Sequence, residues 1–470
     1  MKLIKNMFYN ASYQILAIIL PLITVPYVTR VLSSTGVGIN AYTFSIVTYF
    51  NLIAALGILI YGNREIAFVQ NNKYKRSKVF WELVFLKFIS SSLALALFLG
   101  FIVTQKNWQF YFLLQSINIL ATMFDISWYF IGREDFKKIV VRNTAIKLAV
   151  AILTFTIVKD ESDLGLYIFL LAFSLLAGNL TVWPFLKKEI VWIPLRKLHI
   201  WKHLVPSLHL LLPQMMMQLY LSLNKSLLGM MDGVVSSGFF DQSDKIVRVC
   251  FTLVTALGGV FLPRLSNLFS RNKQEEARQL VIKLIHISNA ISYLLVAGII
   301  GVSSTFAVFF LGKGFEPVGP ILAVHSLIIL MISYGNALGA QYLLASARTK
   351  DYSYSALAGL VTNIILNLIL IPKFGTMGAV ITSVATEFAV SAYQAYSLRR
   401  IFSWQDLFSG LWKYIISALL VVLTLTYLNQ VLPVTIVNYL LQAIVGFVIY
   451  SVSLVVLKAP IVTIVKSFRK

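Results

Sequence analysis

The sequence predicts an all-α polytopic membrane protein of about 14 transmembrane helices, arranged as two pseudo-symmetric six-helix lobes plus two extra C-terminal helices. Three observations predict it. Of the 470 residues 58% are hydrophobic and only 12% charged, with a mean hydropathy of +0.81, whereas soluble domains carry about 25% charged residues. Apolar runs of about 20 residues recur along the whole chain, the length that crosses roughly 30 Å of hydrocarbon at 1.5 Å per residue. The third observation is a weak internal repeat. At an offset of 200, GINAYTFSI at 38–46 lies on GFFDQSDKI at 238–246, and Arg64 falls on Arg264.

Taken in order, the spans fall at 8–30, 37–61, 80–103, 109–131, 139–158, 164–186, 206–228, 246–263, 281–304, 320–346, 353–372, 376–398, 411–432 and 438–457. The seventh and eighth are the weakest, because Lys225, Asp232, Asp241, Asp244 and Lys245 interrupt the hydrophobicity. Leu20-Pro21 corresponds to Leu212-Pro213, and spans five and six, ending in Lys187-Lys188, resemble spans eleven and twelve, ending in Arg399-Arg400. Repeats of this kind mark transporters whose binding site lies between two halves. The expected division is therefore an N-lobe at 1–200 with spans one to six and a C-lobe at 201–402 with spans seven to twelve. Spans thirteen and fourteen and a cytoplasmic tail follow at 403–470. Placing the N-terminus inside puts 28 Lys and Arg in the inner segments and 7 in the outer ones, the positive-inside pattern for two cytoplasmic termini. The basic, apolar start runs on to about Val28, too long for the core of a signal peptide, and reads as the first span.

Several function classes are excluded. The formal charge of +22 lies in short blocks between apolar segments, which sets topology and does not bind nucleic acid. Cys250 is the only cysteine, so no internal disulfide forms. The five histidines make no HExxH pair, and neither a metal nor any other cofactor is expected. No GxxxxGK[ST] loop exists to cradle ATP, and the GKG at 312–314 is a turn. No extended outer loop carries paired acids, which weighs against a membrane-embedded polysaccharide polymerase.

The functional reading centres on charge at bilayer depth. Lys147 sits in the middle of span five, where an ammonium costs a few kcal/mol or more and marks a functional site or an ion pair, Asp125 being one available partner. In span seven, Gln214, Gln218, Ser222 and Lys225 recur at spacings of 4, 4 and 3, a polar stripe on one helical face. Such a stripe lines a wet cavity or bonds a neighbouring helix. Arg142 lies near the inner end of span five and Arg30 and Arg248 at the outer ends of spans one and eight, where solvated cations are equally ordinary. Asp125 and Glu387 are acids at membrane depth, suited either to proton coupling or to structural pairing.

The chain resembles the Wzx-type flippases, the polysaccharide transporter branch of the multidrug/oligosaccharidyl-lipid/polysaccharide exporter superfamily. The resemblance rests on PYVTRVLSSTGVG (26–38), LGILIYGNREIA (56–67), Trp128, Gly132, Glu134, Phe136, Arg142 and Lys147. In the second lobe it rests on TNIILNLILIPKFGTMGAVITSVATE (362–387). Two departures stand out, Ser33 where a glycine usually follows the RVL and Asn63 where an apolar residue is commoner. The resemblance implies alternating-access translocation of an undecaprenyl-diphosphate-linked oligosaccharide repeat unit for capsule or exopolysaccharide. The partners implied are that lipid, the bilayer, and the polysaccharide polymerase and export machinery. Substrate-binding roles would fall to Lys147 and Lys225, with Arg142, Arg248, Arg30, Arg64, Gln214, Gln218 and Tyr220 around them. Peptidoglycan or teichoic-acid precursors and drugs are the alternative cargoes within the superfamily.

Overall fold

Ten segments among the described residues are long and apolar enough to cross a membrane, and two of them are double. The computed structural model describes residues 2–255 and 258–467, the side chains of 2–18, 136–138, 212–214, 217, 259–260 and 467 excepted. The first double segment begins in α1 (Lys2–Ala55), which turns at Ser33 (φ 57°, ψ 178°) and so holds spans one and two. The second is α15 (Thr349–Ser397), which turns at Gly375 (φ 53°, ψ −130°) between spans eleven and twelve. Counting each twice gives twelve spans. Helix α9 (Leu204–Met231) and α10 (Val234–Thr255), of 28 and 22 residues, are long enough to bring the total to about fourteen. No strand occurs among the described residues. The all-α, polytopic expectation therefore holds.

Two compact units, Met1–Gly229 and Met230–Lys470, make up the chain. In the first, α1 is followed by α2 (Ile58–Phe68), α3 (Lys73–Thr104), α4 (Gln109–Gln115), α5 (Ile117–Phe124), α6 (Ser127–Gly132), α7 (Phe136–Ile157), α8 (Leu164–Leu180) and nearly all of α9. Its core packs α2, α3 and α6, where Trp128 stacks on Phe80 at 5.6 Å. Two glycines allow the approach. A Cβ on Gly62 would lie 2.7 Å from the Trp128 ring, and one on Gly132 would lie 2.6 Å from the Asn63 carbonyl. The stretches 56–67 and 128–132 are thus two sides of a single contact.

In the second unit α10 leads to α11 (Gly258–Ser270), α12 (Gln274–Leu311), α13 (Val318–His325), α14 (Ile328–Gly335), α15, α16 (Trp404–Phe408), α17 (Leu411–Val431), α18 (Ile436–Val456) and α19 (Pro460–Ser467). A π-helical stretch, Asn336–Leu343, precedes α15. One buried cluster joins α11, α12, the π-helical stretch and the end of α15, and another joins α12 to α17, α18 and α19. The sequence repeat has a backbone counterpart. Positive φ at Ser33 and Gly233 precedes the next helical arm in each unit.

Candidate functional site

In the first unit the buried charges gather where span four breaks. Asp125 ends α5 in an extended conformation before α6 begins, so its side chain and its carbonyl both face away from a continuous helix. Lys87 of α3, only 3% exposed, takes both. Its Nζ donates to the Asp125 carbonyl at 2.7 Å and lies 3.5 Å from the carboxylate. The Ser127 N–H donates to the same carboxylate at 2.9 Å, and the Ser127 hydroxyl accepts from Arg142 Nη2 at 3.3 Å. Arg142 also donates twice to Asn143 Oδ1. Asp125, considered above as a partner for Lys147, is therefore held by Lys87.

Lys147 is half-buried on α7, five residues beyond Arg142. The helix lies close to α8, since a Cβ on Gly178 would strike Ile146 and come within 4.0 Å of Arg142 Cδ. On α9, Lys225 is also half-buried and Tyr220 is buried. Both lysines belong to the first unit. The α9 stripe is real in part: Gln218 donates to Ser222 at 3.4 Å, and Ser226 continues the face. At Ser226 that face meets α1, bonding Ser45 at 3.0 Å and Tyr49 at 2.7 Å, so there it binds a helix and does not line a cavity. The side chain of Gln214 lies outside the described residues.

The other expected residues are more dispersed. Arg30 is exposed and donates to the Pro26 carbonyl, and Arg64 is exposed beside Glu65 at 3.3 Å. Helix α10 starts at Val234, twelve residues before the expected start of span eight. Arg248 accordingly sits well inside that helix, holding both oxygens of Asp244 at 2.9 Å, while Lys245 pairs with Asp241 at 2.6 Å. Glu387, half-buried on the second arm of α15, accepts at its backbone carbonyl from Ser391 at 2.7 Å.

One polar node escaped the sequence reading. Glu82 of α3 is fully buried and accepts from the His199 N–H at 2.8 Å, pairs with Lys202 at 2.8 Å and bonds His203 Nε2 at 2.9 Å. The far side of His203 bonds the Tyr61 hydroxyl at 2.8 Å. These contacts tie the segment before α9 to α2 and α3. The available signal was Glu82 itself, an acid inside an apolar span, which by the rule applied to Asp125 and Glu387 requires a partner. Among the described residues no three His, Cys, Asp or Glu side chains are grouped to hold a metal ion.

The family described as "Polysaccharide biosynthesis protein" matches residues 3–269, more than half of the chain. The chain belongs to this polysaccharide biosynthesis protein family. Among curated relatives, the "Putative O-antigen transporter" of Escherichia coli (strain K12) is 24% identical over 408 residues, covering 84% of this chain and 96% of that protein. The "Capsular polysaccharide biosynthesis protein CapF" of Staphylococcus aureus is 25% identical over 170 residues, 36% of this chain and 43% of that protein. Among solved structures, the lipid II flippase MurJ in an inward closed conformation superposes with a TM-score of 0.72 at 15% identity, covering 95% of this chain and 98% of that one. At that identity the likeness is one of fold. Family membership and the shared fold agree with a multi-span membrane protein of polysaccharide biosynthesis.

Proposed function

We propose that the protein carries an undecaprenyl-diphosphate-linked oligosaccharide repeat unit from the inner to the outer leaflet for capsule or exopolysaccharide synthesis. The observation that carries this reading is the presence of half-buried cations, Lys147 on α7 and Lys225 on α9, in a chain of this family. A diphosphate cannot cross hydrocarbon unpaired, and half-buried ammonium and guanidinium groups offset its desolvation. Lys147 and Lys225 hold the headgroup, with Arg142 beside Lys147 on α7. Gln214, Gln218 and Tyr220 of α9 contact sugar. Arg30, Arg64 and Arg248 are secondary contacts along the path.

Translocation is by alternating access, with the repeat-related halves at 1–200 and 201–402 rearranging and 403–470 as an appended pair of helices. Asp125 and Glu387 are the coupling acids. Both termini lie in the cytoplasm, as the 28 inner against 7 outer cations favour, and reporter fusions at each terminus test that topology. The product passes to a polysaccharide polymerase and export machinery. In a strain lacking the native gene, Lys147→Ala and Lys225→Ala should each insert normally and fail to restore surface polysaccharide. Normal export by both variants would sink the cationic-path mechanism. If deletion of the gene arrests wall synthesis and leaves capsule intact, the cargo is instead a peptidoglycan or teichoic-acid precursor.

A further inference from the structure

A cleft that the transport reading does not use lies at the end of α15. It encloses about 410 Å³ between Arg348, Tyr396, Ser397, Arg399, Arg400 and Ile401. One arginine builds it. Arg348 Nη2 donates to the Ser397 carbonyl at 3.0 Å while its Nε holds Asp351 at 2.7 Å, so the carboxylate nearest in sequence is already neutralised. The Arg399 guanidinium lies 3.8 Å from the centre of the Tyr396 ring, a contact that holds the charge in place. Among the described residues no acid lines the cleft. Asp406, a few residues on, is engaged by Arg278 at 2.6 Å and by the Ser403 N–H at 2.8 Å.

The internal repeat shows what this arrangement lacks. Lys187-Lys188 of the first unit corresponds to Arg399-Arg400, and Arg133, just before α7, corresponds to Arg348, just before α15. In the first unit the next residue is Glu189, whose carboxylate lies 3.5 Å from Arg133 Nε and accepts from the Tyr129 hydroxyl at 2.9 Å. In the second unit the residue at that place is Ile401. Each unit gives its leading arginine a carboxylate, Glu189 for Arg133 and Asp351 for Arg348, and in the second unit the guanidiniums of Arg399 and Arg400 line the cleft beside that pair.

We propose that the Arg348–Arg399–Arg400 cleft binds the phosphate of an anionic lipid headgroup. Guanidinium forks match phosphate oxygens in geometry as well as charge. The source is a lipid because the cleft is followed directly by exposed Trp404, Phe408 and Trp412, and Trp concentrates at the headgroup level of a bilayer. On the topology proposed above this is the cytoplasmic leaflet, although binding does not depend on that topology or on transport.

The test is native mass spectrometry of the full-length protein released from micelles containing phosphatidylglycerol, phosphatidylcholine or inorganic pyrophosphate. Arg399→Gln/Arg400→Gln should lower phosphatidylglycerol retention on the order of tenfold and leave phosphatidylcholine unchanged. Arg399→Lys/Arg400→Lys should restore part of it, and Tyr396→Leu should lower it without changing charge. All three side chains are exposed, so the variants should melt like the parent. Equal phosphatidylglycerol retention by the parent and the glutamine variant overturns the proposal. Retention of pyrophosphate without phosphatidylglycerol overturns its assignment to lipid.

Discussion

Replacing Asp125 by Asn should destabilise the first unit by about 3 kcal/mol, the lower end of the range for removing one partner of a buried ion pair. The magnitude follows from what Lys87 keeps and what it loses. Its ammonium is almost wholly enclosed and lies 3.5 Å from the carboxylate, so the variant leaves a buried cation uncompensated. The stronger contact, 2.7 Å to the Asp125 carbonyl, survives the substitution and holds the loss to the low end. The bond from the Ser127 N–H passes to the amide oxygen, so the break between α5 and α6 and the link through Ser127 to Arg142 persist. Fluorescence-detected size-exclusion after heating reads the change, because about 3 kcal/mol is over a hundredfold in the folded ratio. Lys87→Met/Asp125→Leu removes both charges and should recover most of the lost stability. A single variant as stable as the parent would refute the assignment of Asp125 to Lys87. Surface polysaccharide in cells carrying the double variant then separates the roles, since a structural pair permits export once stability returns and a coupling acid does not.

Ser33→Gly should stabilise the protein by about 1 kcal/mol, because Ser33 holds φ at 57°, a region costly for a residue with a Cβ; an unchanged melting temperature would show that the turn carries no strain. Gly62→Ala should cost about 1–3 kcal/mol through overpacking against Trp128, whose ring would lie 2.7 Å from the new Cβ, and yield at equal expression should fall accordingly. Glu82→Gln replaces a carboxylate that receives three donors and should loosen the 187–203 segment by about 2 kcal/mol. Limited proteolysis detects that loosening, and an unaltered cleavage pattern would mean that the segment is held by its other contacts.

The repeat was legible because it rests on backbone turns as well as on side chains. Ser33 and Gly233 stand 200 residues apart, and the departure from glycine at Ser33 is visible only as an unusual letter until its φ explains why glycine is the ordinary choice. The partner of a buried charge was much less legible. Lys87, Glu82 and Asp125 all announce themselves as ionised groups in apolar spans. Lys87 and Glu82 are five residues apart, however, a spacing that faces them in different directions on a helix, and each is satisfied by a distant segment: Asp125 for the first, 199–203 for the second. Single-sequence reading has no access to such pairings.

The helix that carries span eight starts earlier than hydropathy suggested, for a related physical reason. Hydropathy charges every ionised residue the full cost of entering the bilayer, so Asp241, Asp244 and Lys245 together pushed the expected start to 246. Their spacing removes most of that cost. Asp241–Lys245 and Asp244–Arg248 are both i,i+4 pairs with contacts of 2.6 and 2.9 Å, each acid one turn before its base, the favourable order on a helix. Two neutral couples can enter where four separate charges could not. Low hydropathy combined with self-cancelling i,i+4 charge is therefore a positive sign of a membrane helix in such a chain. By the same argument a lysine inside a span with no acid three or four residues away, as Lys147 and Lys225 are, has to be neutralised by another segment or by the cargo, and these are the positions at which substitution tests transport most directly.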